Sequence, residues 1–234
     1  MSTVIQDVEW KTSDGLVDYG EATSFMDRHT AAIREDGARE LVWLLEHDHV
    51  YTAGTSAAPE ELIAPGSVPV FKTGRGGRYT YHGPGQRVGY VMLDLARRGR
   101  DVRHYVHSLE GWLIAALADF SIEARRAEGR IGLWTDSSAG EAKIGAIGVR
   151  IRRWVTLHGF ALNVSPELER FGGIIPCGLP DYPVTTLRQL GSTASIEQVD
   201  AALMRHFPEF LATLASKRQC DEESDSSPSM ASFK

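Results

Sequence analysis

Two residues of the 234 hold the plainest chemical potential. Cys177 lies in Ile174-Ile175-Pro176-Cys177-Gly178-Leu179-Pro180, where an apolar run stops at a turn-forming Pro, Cys, Gly, Pro sequence able to hold a sulfur at a cleft edge. Two readings stand for it. A free cysteine is commonly a small core residue. It becomes a nucleophile when something lowers a thiol pKa of ~8.5, as a nearby cation does by favouring the thiolate. Lys143 is the candidate cation, the single lysine between Lys72 and Lys217, in the strand-like context Ala142-Lys143-Ile144-Gly145-Ala146-Ile147-Gly148. An ammonium buried alone is costly, so this lysine either leaves an edge strand for solvent or faces a cleft and meets a group that can be negative. The small residues Gly145, Ala146 and Gly148 let a ligand chain approach the backbone closely.

The segment Thr73-Gly74-Arg75-Gly76-Gly77-Arg78-Tyr79-Thr80-Tyr81-His82-Gly83-Pro84-Gly85-Gln86 has five glycines, more than a hairpin needs. It is neither a Walker loop, lacking Gly-Lys-Ser/Thr, nor a dinucleotide fingerprint, since a strand rather than a helix follows. With Arg75, Thr80 and His82 it can wrap a ligand in backbone N–H donors and a few directed side chains. His47, His49, His82 and His158 show no helix-face ligand spacing, and there is no Cys-x-x-Cys, so no metal is expected. Cys177 with His158 and Asn163 also composes a cysteine hydrolase set, which spacing alone leaves open.

Strands are expected at Leu41 to Leu45, Val68 to Phe71, Val88 to Leu95, Ile131 to Trp134, Ala142 to Ile151 and Val155 to Val164, the last two joined across Arg152-Arg153 as a hairpin. The first is a continuous apolar run, as in a strand covered on both faces. From Asp101, a plausible N-cap, apolar residues at Val102, Tyr105, Val106, Leu109, Trp112, Leu113, Ala116, Leu117 and Phe120 follow the 3.6-residue repeat of an amphipathic helix. Ser195 and Gln198 form a capping box for a helix to about His206, and Pro208 restarts a short second one through Leu214. Strands outnumber long helices and several connect as hairpins, which predicts a mixed or antiparallel sheet with helices packed on it.

Composition points to one domain over residues 1–216 and a polar, disordered tail over 217–234. At 42% hydrophobic and 24% charged residues the chain reads as an ordinary globular protein without a membrane span. The start, MSTVIQDVEWK, lacks a basic region followed by an apolar run, and two cysteines are too few for a disulfide framework; the cytoplasm is the expected compartment. Net charge is −6, yet residues 71–103 hold eight bases against two acids. Arg75, Arg78, Arg87, Arg97, Arg98, Arg100 and Arg103 there suggest a face for an acidic partner. No nucleic-acid motif accompanies them.

Four segments together resemble the lipoyl(octanoyl) transferase family, also called lipoate biosynthesis protein B. They are HDHVYTAG at 47–54, RGGRYTYHGPGQ at 75–86, KIGAIGVRIRRWVTLHGFALNV at 143–164 and PCGLPDYPVTTL at 176–187, in matching order and spacing. His49, Arg78 and Thr186 depart from the family pattern, which bears on fine substrate preference. The resemblance implies an α/β fold with a mixed, largely antiparallel sheet and flanking helices, like the catalytic domains of biotin and lipoate protein ligases. It implies acyl transfer without ATP or other cofactor, from octanoyl acyl carrier protein to lysines of lipoyl domains of 2-oxoacid dehydrogenase complexes and of the glycine cleavage H protein. By motif position, Cys177 corresponds to the thioester cysteine and Lys143 to the lysine that lowers its pKa. Acyl-binding positions carry over to Arg75, Gly76, Gly77, Arg78, Tyr79, Thr80, Tyr81 and His82, to Ala146, Ile147 and Gly148, and to Gly159, Phe160 and Ala161. The rival readings are an ATP-dependent lipoate ligase on the same fold and a noncatalytic acyl-carrier-binding module.

Overall fold

In the strand Leu41–His47, Leu41, Trp43 and Leu45 alternate with Val42 and Leu44, and both sets are buried, so this apolar run lies between two layers. The computed structural model describes residues 2–178 and 182–225, without the side chains of Cys177 and of 216–225. Its elements run β1 (Ser2–Ile5), β2 (Val8–Val17), α1 (Tyr19–Glu35), β3 (Leu41–His47), β4 (Val50–Ala53), β5 (Val70–Lys72), β6 (Tyr79–His82) and β7 (Gln86–Met92). There follow α2 (Val102–Ala118), β8 (Arg125–Ala127), β9 (Arg130–Ser137), β10 (Gly140–Arg152), β11 (Val155–Asn163) and α3 (Ile196–Asp225).

The large sheet has the order β1-β2-β3-β7-β11-β10-β9-β8 and is antiparallel except for β2 beside β3. That parallel pair needs a crossover, and α1 supplies it. A small sheet, β5-β4-β6, lies apart from the large one. One face of the large sheet, with Val42, Leu44, Val91, Leu93, Phe160 and Leu162, packs against α2 and α3. The opposite face, with Leu41, Trp43, Leu45, Val88, Tyr90 and Ala161, packs against α1. The small sheet has its own core of Tyr51, Ala53, Tyr79, Tyr81, Phe171 and Ile174.

Asp101 caps α2 as expected, accepting from the His104 N–H at 2.9 Å, and Ser195 and Gln198 exchange both bonds of their capping box. Three expectations need correction. The glycine-rich segment, left without a strand between those expected at Val68 to Phe71 and Val88 to Leu95, contains β6. The β10–β11 hairpin turns at Arg153-Trp154, one residue later than predicted, with φ of 49° and 70° at the two central positions, the twist that suits paired right-handed strands. Pro208 does not divide the last helix, which is continuous from Ile196 to Asp225. Phe207, Phe210, Leu211 and Leu214 form one buried stripe across the proline, and their packing outweighs the one backbone bond it removes. Trp112 stacks on Phe210 at 5.0 Å and stands edge-on to Phe160 at 5.5 Å. Residues 226–234 of the predicted tail lie outside the described residues.

The sheet centre is built around small residues. Gly89 pairs with Phe160 across β7 and β11, and a Cβ on it would meet the Phe160 ring at 2.2 Å. Gly89→Ala is therefore expected to lower stability by about 1–3 kcal/mol through overpacking, seen as a lower urea midpoint at unchanged m-value.

Candidate active site

A cavity of about 590 Å³ opens between the α1 face of the large sheet and the glycine-rich segment. On β6, strand alternation decides which side chains reach it. Thr80 and His82 line the cavity, whereas Tyr79 and Tyr81 point into the small sheet's core, where Tyr81 packs on Tyr51 and Phe171. Arg75, Gly76, Gly77, Arg78, Ala146, Ile147, Gly148, Gly159, Phe160 and Ala161 also line it, so the two tyrosines are the exceptions among the acyl-binding positions expected from the sequence. Lys143 lies on the same wall.

The glycine-rich loop is pinned at both sides. Arg75 is buried and donates from Nη2 to both the carbonyl and the hydroxyl of Thr52, each at 2.7 Å. The Gly76 N–H donates to the Val149 carbonyl at 2.9 Å, on the edge of β10 beyond the end of its pairing with β9. Gly54 and Gly148 flank Arg75 so closely that a Cβ would fall 2.7 Å from its Nη1 and 3.0 Å from its Cδ, respectively.

Lys143 is in an interior strand, not on an edge that opens to solvent. It is 7% exposed; its ammonium donates to the Ile131 carbonyl at 3.0 Å and stands 5.2 Å from the Trp134 ring. Gly132, at φ +121°, makes the room: a Cβ there would lie 2.6 Å from Lys143 Cε. Its own backbone bonds bracket the next chain segment, for Lys143 N–H donates to Pro183 O and Thr185 N–H donates to Lys143 O.

The backbone of Cys177 forms a single turn, Pro176–Gly178, that packs on β6. The Ile175 N–H donates to Glu61 O at 2.8 Å, and Gly178, at φ +66°, abuts Arg78, which is ion-paired with buried Glu61. The Cys177 side chain lies outside the described residues. The chain around Cys177 is thus tied to β6 and Glu61 before it and to Lys143 after it.

The two histidines on the cavity wall, His82 and His158, are neutral at ordinary pH. Burial first, and then neighbouring His47, Arg75 and His158, push His82 down to about 3, against its bond to Gln86. Burial, then Arg75 and Arg150, push His158 down to about 4. His158 has φ +60° within a strand, and that left-handed backbone accompanies a ring set edge-on to Tyr90 at 6.0 Å. The Asn163 amide donates to Thr185 O and accepts from Gln86, and among the described residues it makes no hydrogen bond to His158. Among the described residues no three His, Cys, Asp or Glu converge as metal ligands.

The basic 71–103 segment is divided: Arg75 and Arg87 are buried and Arg98 is half-buried, Arg87 meeting Asp200 at 2.8 Å and Arg98 gripping both oxygens of Glu40, whereas Lys72, Arg78, Arg97, Arg100 and Arg103 are exposed. Residues that sequence reading passed over include Thr52, Glu61, Gly132 and Asn163 in its observed role; Glu61 and Gly132 stand outside every quoted motif.

The model of the lipoyl protein ligase A/B catalytic domain matches residues 18–208. The chain belongs to that family. An octanoyltransferase of Rhizorhabdus wittichii is 57% identical over 222 residues, 95% of this chain and 100% of that protein. One of Sphingopyxis alaskensis is 63% identical over 207 residues, 88% of this chain and 95% of that protein. Among solved structures, a bipartite lipoate protein ligase from Thermoplasma acidophilum superposes with TM-score 0.65 at 18% identity, covering 86% of this chain and 83% of its own. Lipoate-protein ligase A bound with ATP gives 0.64 at 18%, covering 86% and 85%. Biotin protein ligase from Aquifex aeolicus gives 0.54 at 14%, covering 91% and 73%. These likenesses establish the ligase-type fold expected from the sequence. No helix among the described residues is long and apolar enough to cross a membrane.

Two outcomes follow for this lipoyl ligase-family site. Gly132→Ala displaces the Lys143 side chain and strains a φ of +121°, so acyl-transfer activity should fall ~10-fold or more, read from initial rates; wild-type rates would remove Gly132 from the site. For His82 and His158 the folded protein resists protons that the unfolded chain accepts from 6.5 downward, so stability should fall as pH drops from 6.5 toward 4. Asp200, pushed up to about 6 by burial, acts in the opposite sense. The deciding comparison is therefore between variants: His158→Asn should shrink the loss of urea midpoint between pH ~7.5 and ~5.

Proposed function

We propose that this acyltransferase carries an octanoyl group as a thioester on Cys177 and passes it to a specific lysine of a lipoyl domain, the first step of protein lipoylation. The observation that carries this reading is the bracket around the Cys177 loop. Its entry is bonded to Glu61 and packed on β6, and its exit is hydrogen-bonded to the main chain of Lys143, whose ammonium lies on the wall of the cavity. An ammonium near a thiol favours the thiolate, which is the attacking form.

The chemistry has two halves. The Cys177 thiolate attacks the thioester of octanoyl acyl carrier protein, forming one C–S bond and breaking another, an exchange close to isoenergetic. The lysine ε-amine then attacks the enzyme thioester, and the C–N bond replaces the C–S bond downhill, so no nucleotide is required. An amine with an ordinary pKa of ~10.4 must lose a proton first, and Lys143 is a candidate to help move it. Apolar walls at Val88, Ile147, Phe160 and Ala161 suit an acyl chain, where each buried CH₂ contributes roughly 0.8 kcal/mol. Lipoyl domains of 2-oxoacid dehydrogenase complexes and the glycine cleavage H protein are the proposed acceptors, and the cytoplasm the proposed compartment.

An ATP-dependent ligase shares this fold, but the relatives above 50% identity are named octanoyltransferases, and it is they that favour transfer. Incubation with octanoyl acyl carrier protein and no ATP should add one octanoyl mass to the intact wild-type protein and none to Cys177→Ala. Lys143→Met should slow that loading at least ~100-fold, the scale of lost acid–base assistance. Full activity of Cys177→Ser with ATP would overturn the proposal, and free octanoate as the main product without acceptor would identify a hydrolase.

A further inference from the structure

A chain of side chains whose orientation is not free runs from the Lys143 bracket to the cavity. The carbonyls of Thr185 and Tyr81 can only accept hydrogen bonds. Asn163 Nδ2 faces Thr185 O at 3.1 Å, so Asn163 Oδ1 is turned to Gln86. Gln86 Nε2 accordingly donates to Asn163 Oδ1 at 2.9 Å and to Tyr81 O at 3.2 Å. That leaves Gln86 Oε1 facing His82 Nδ1 at 2.7 Å, and an amide oxygen has no proton to give. Nδ1 must carry the hydrogen. The opposite tautomer would set two lone pairs against each other at 2.7 Å in a buried site, so His82 cannot serve as an Nε2–H donor to an oxyanion while this chain is intact.

We propose that Gln86 and Asn163 are positioning residues that hold His82 in its Nδ1–H form, so that Nε2 meets the cavity as the hydrogen-bond acceptor for the attacking lysine amine. The inference rests on the thioester reading above. His82 lines the cavity, and among the described residues Nε2 has no hydrogen-bond partner. The turn containing Cys177 packs on the strand that carries His82. In the transfer half, the amine nitrogen bonds to the thioester carbon, the C–S bond breaks, and one N–H proton passes through Nε2 to the departing sulfur, which leaves as a thiol. The nitrogen becomes far more acidic as it bonds to carbon, so a weakly basic imidazole suffices. An imidazole that stays neutral around pH 7 also keeps its lone pair available. The chain begins at Thr185, whose N–H is bonded to Lys143 O, so the backbone that orders the lysine also orients the histidine.

The test begins on the wild-type protein. Long-range 1H–15N spectra of histidine-labelled enzyme, with His82 assigned by loss of its signals in His82→Gln, should show a protonated Nδ1 and an unprotonated Nε2; a protonated Nε2 overturns the proposal. Gln86→Met should move His82 toward the Nε2–H form and slow transfer from the acyl-enzyme to a lipoyl domain ~10-fold or more beyond any change in acyl loading, with both halves followed by intact mass. A tautomer change without slower transfer, or loading slowed as much as transfer, overturns the assignment to the amine step. A wild-type protein that never gains acyl mass sinks the thioester reading itself, and does so before any variant is compared.

Discussion

An ammonium cannot leave water without partners, and the site is organised around satisfying the one at Lys143. Ile131 O accepts from it, the Trp134 ring faces it, and Gly132 leaves the space it occupies. The same residue's peptide groups hold the chain at Pro183 and Thr185. Placing a cation in an interior strand thus does two things at once. It positions a charge on the cavity wall, and it fixes where the chain returns after Cys177.

That arrangement is possible because the large sheet separates its tasks by face. The α2 and α3 side is a dense aromatic and aliphatic core, with Trp10, Trp112, Phe207 and Phe210 meeting mostly at stacked or edge-on angles. This side supplies most of the buried apolar area and so most of the driving force for folding. The other side can then hold polar groups that contribute little to stability: Arg75, His82, Gln86, Lys143 and His158 are all buried there. Arg75 is compensated by Thr52, Gln86 by two carbonyls and Lys143 by the Ile131 carbonyl, the kind of local pairing that keeps polar groups in a low-dielectric site.

The motifs at 75–86 and 143–164 marked most of the cavity wall, because a glycine-rich segment and a lysine in an apolar run are local anomalies that sequence displays directly. The misplacements have physical causes. Tyr79 and Tyr81 share a motif with Thr80 and His82, yet a strand sends neighbours to opposite faces. Arg78, Arg87 and Arg98 belong to the basic cluster of 71–103, but the acids that hold them, Glu61, Asp200 and Glu40, come from distant segments. Helix α1 was passed over because only a thin stripe, Tyr19, Ala22, Met26, Thr30 and Ile33, is buried in a polar background. Pro208 looked like a break because local propensity cannot register the core that Phe207 and Phe210 fill on either side of it.

The sequence by itself determined the family pattern, the strand-rich α/β class, the helix opened by Asp101 and the identities of the cysteine and lysine, since each depends on residue type and short-range spacing. Tertiary structure alone decided which face each strand residue uses, which arginines are consumed by partners, and how Thr185, Asn163 and Gln86 orient His82. Those outcomes rest in part on contacts between distant residues, 22 positions apart for Asn163 and Thr185 and 113 for Arg87 and Asp200, and no local pattern encodes the direction of a hydrogen bond across such a distance.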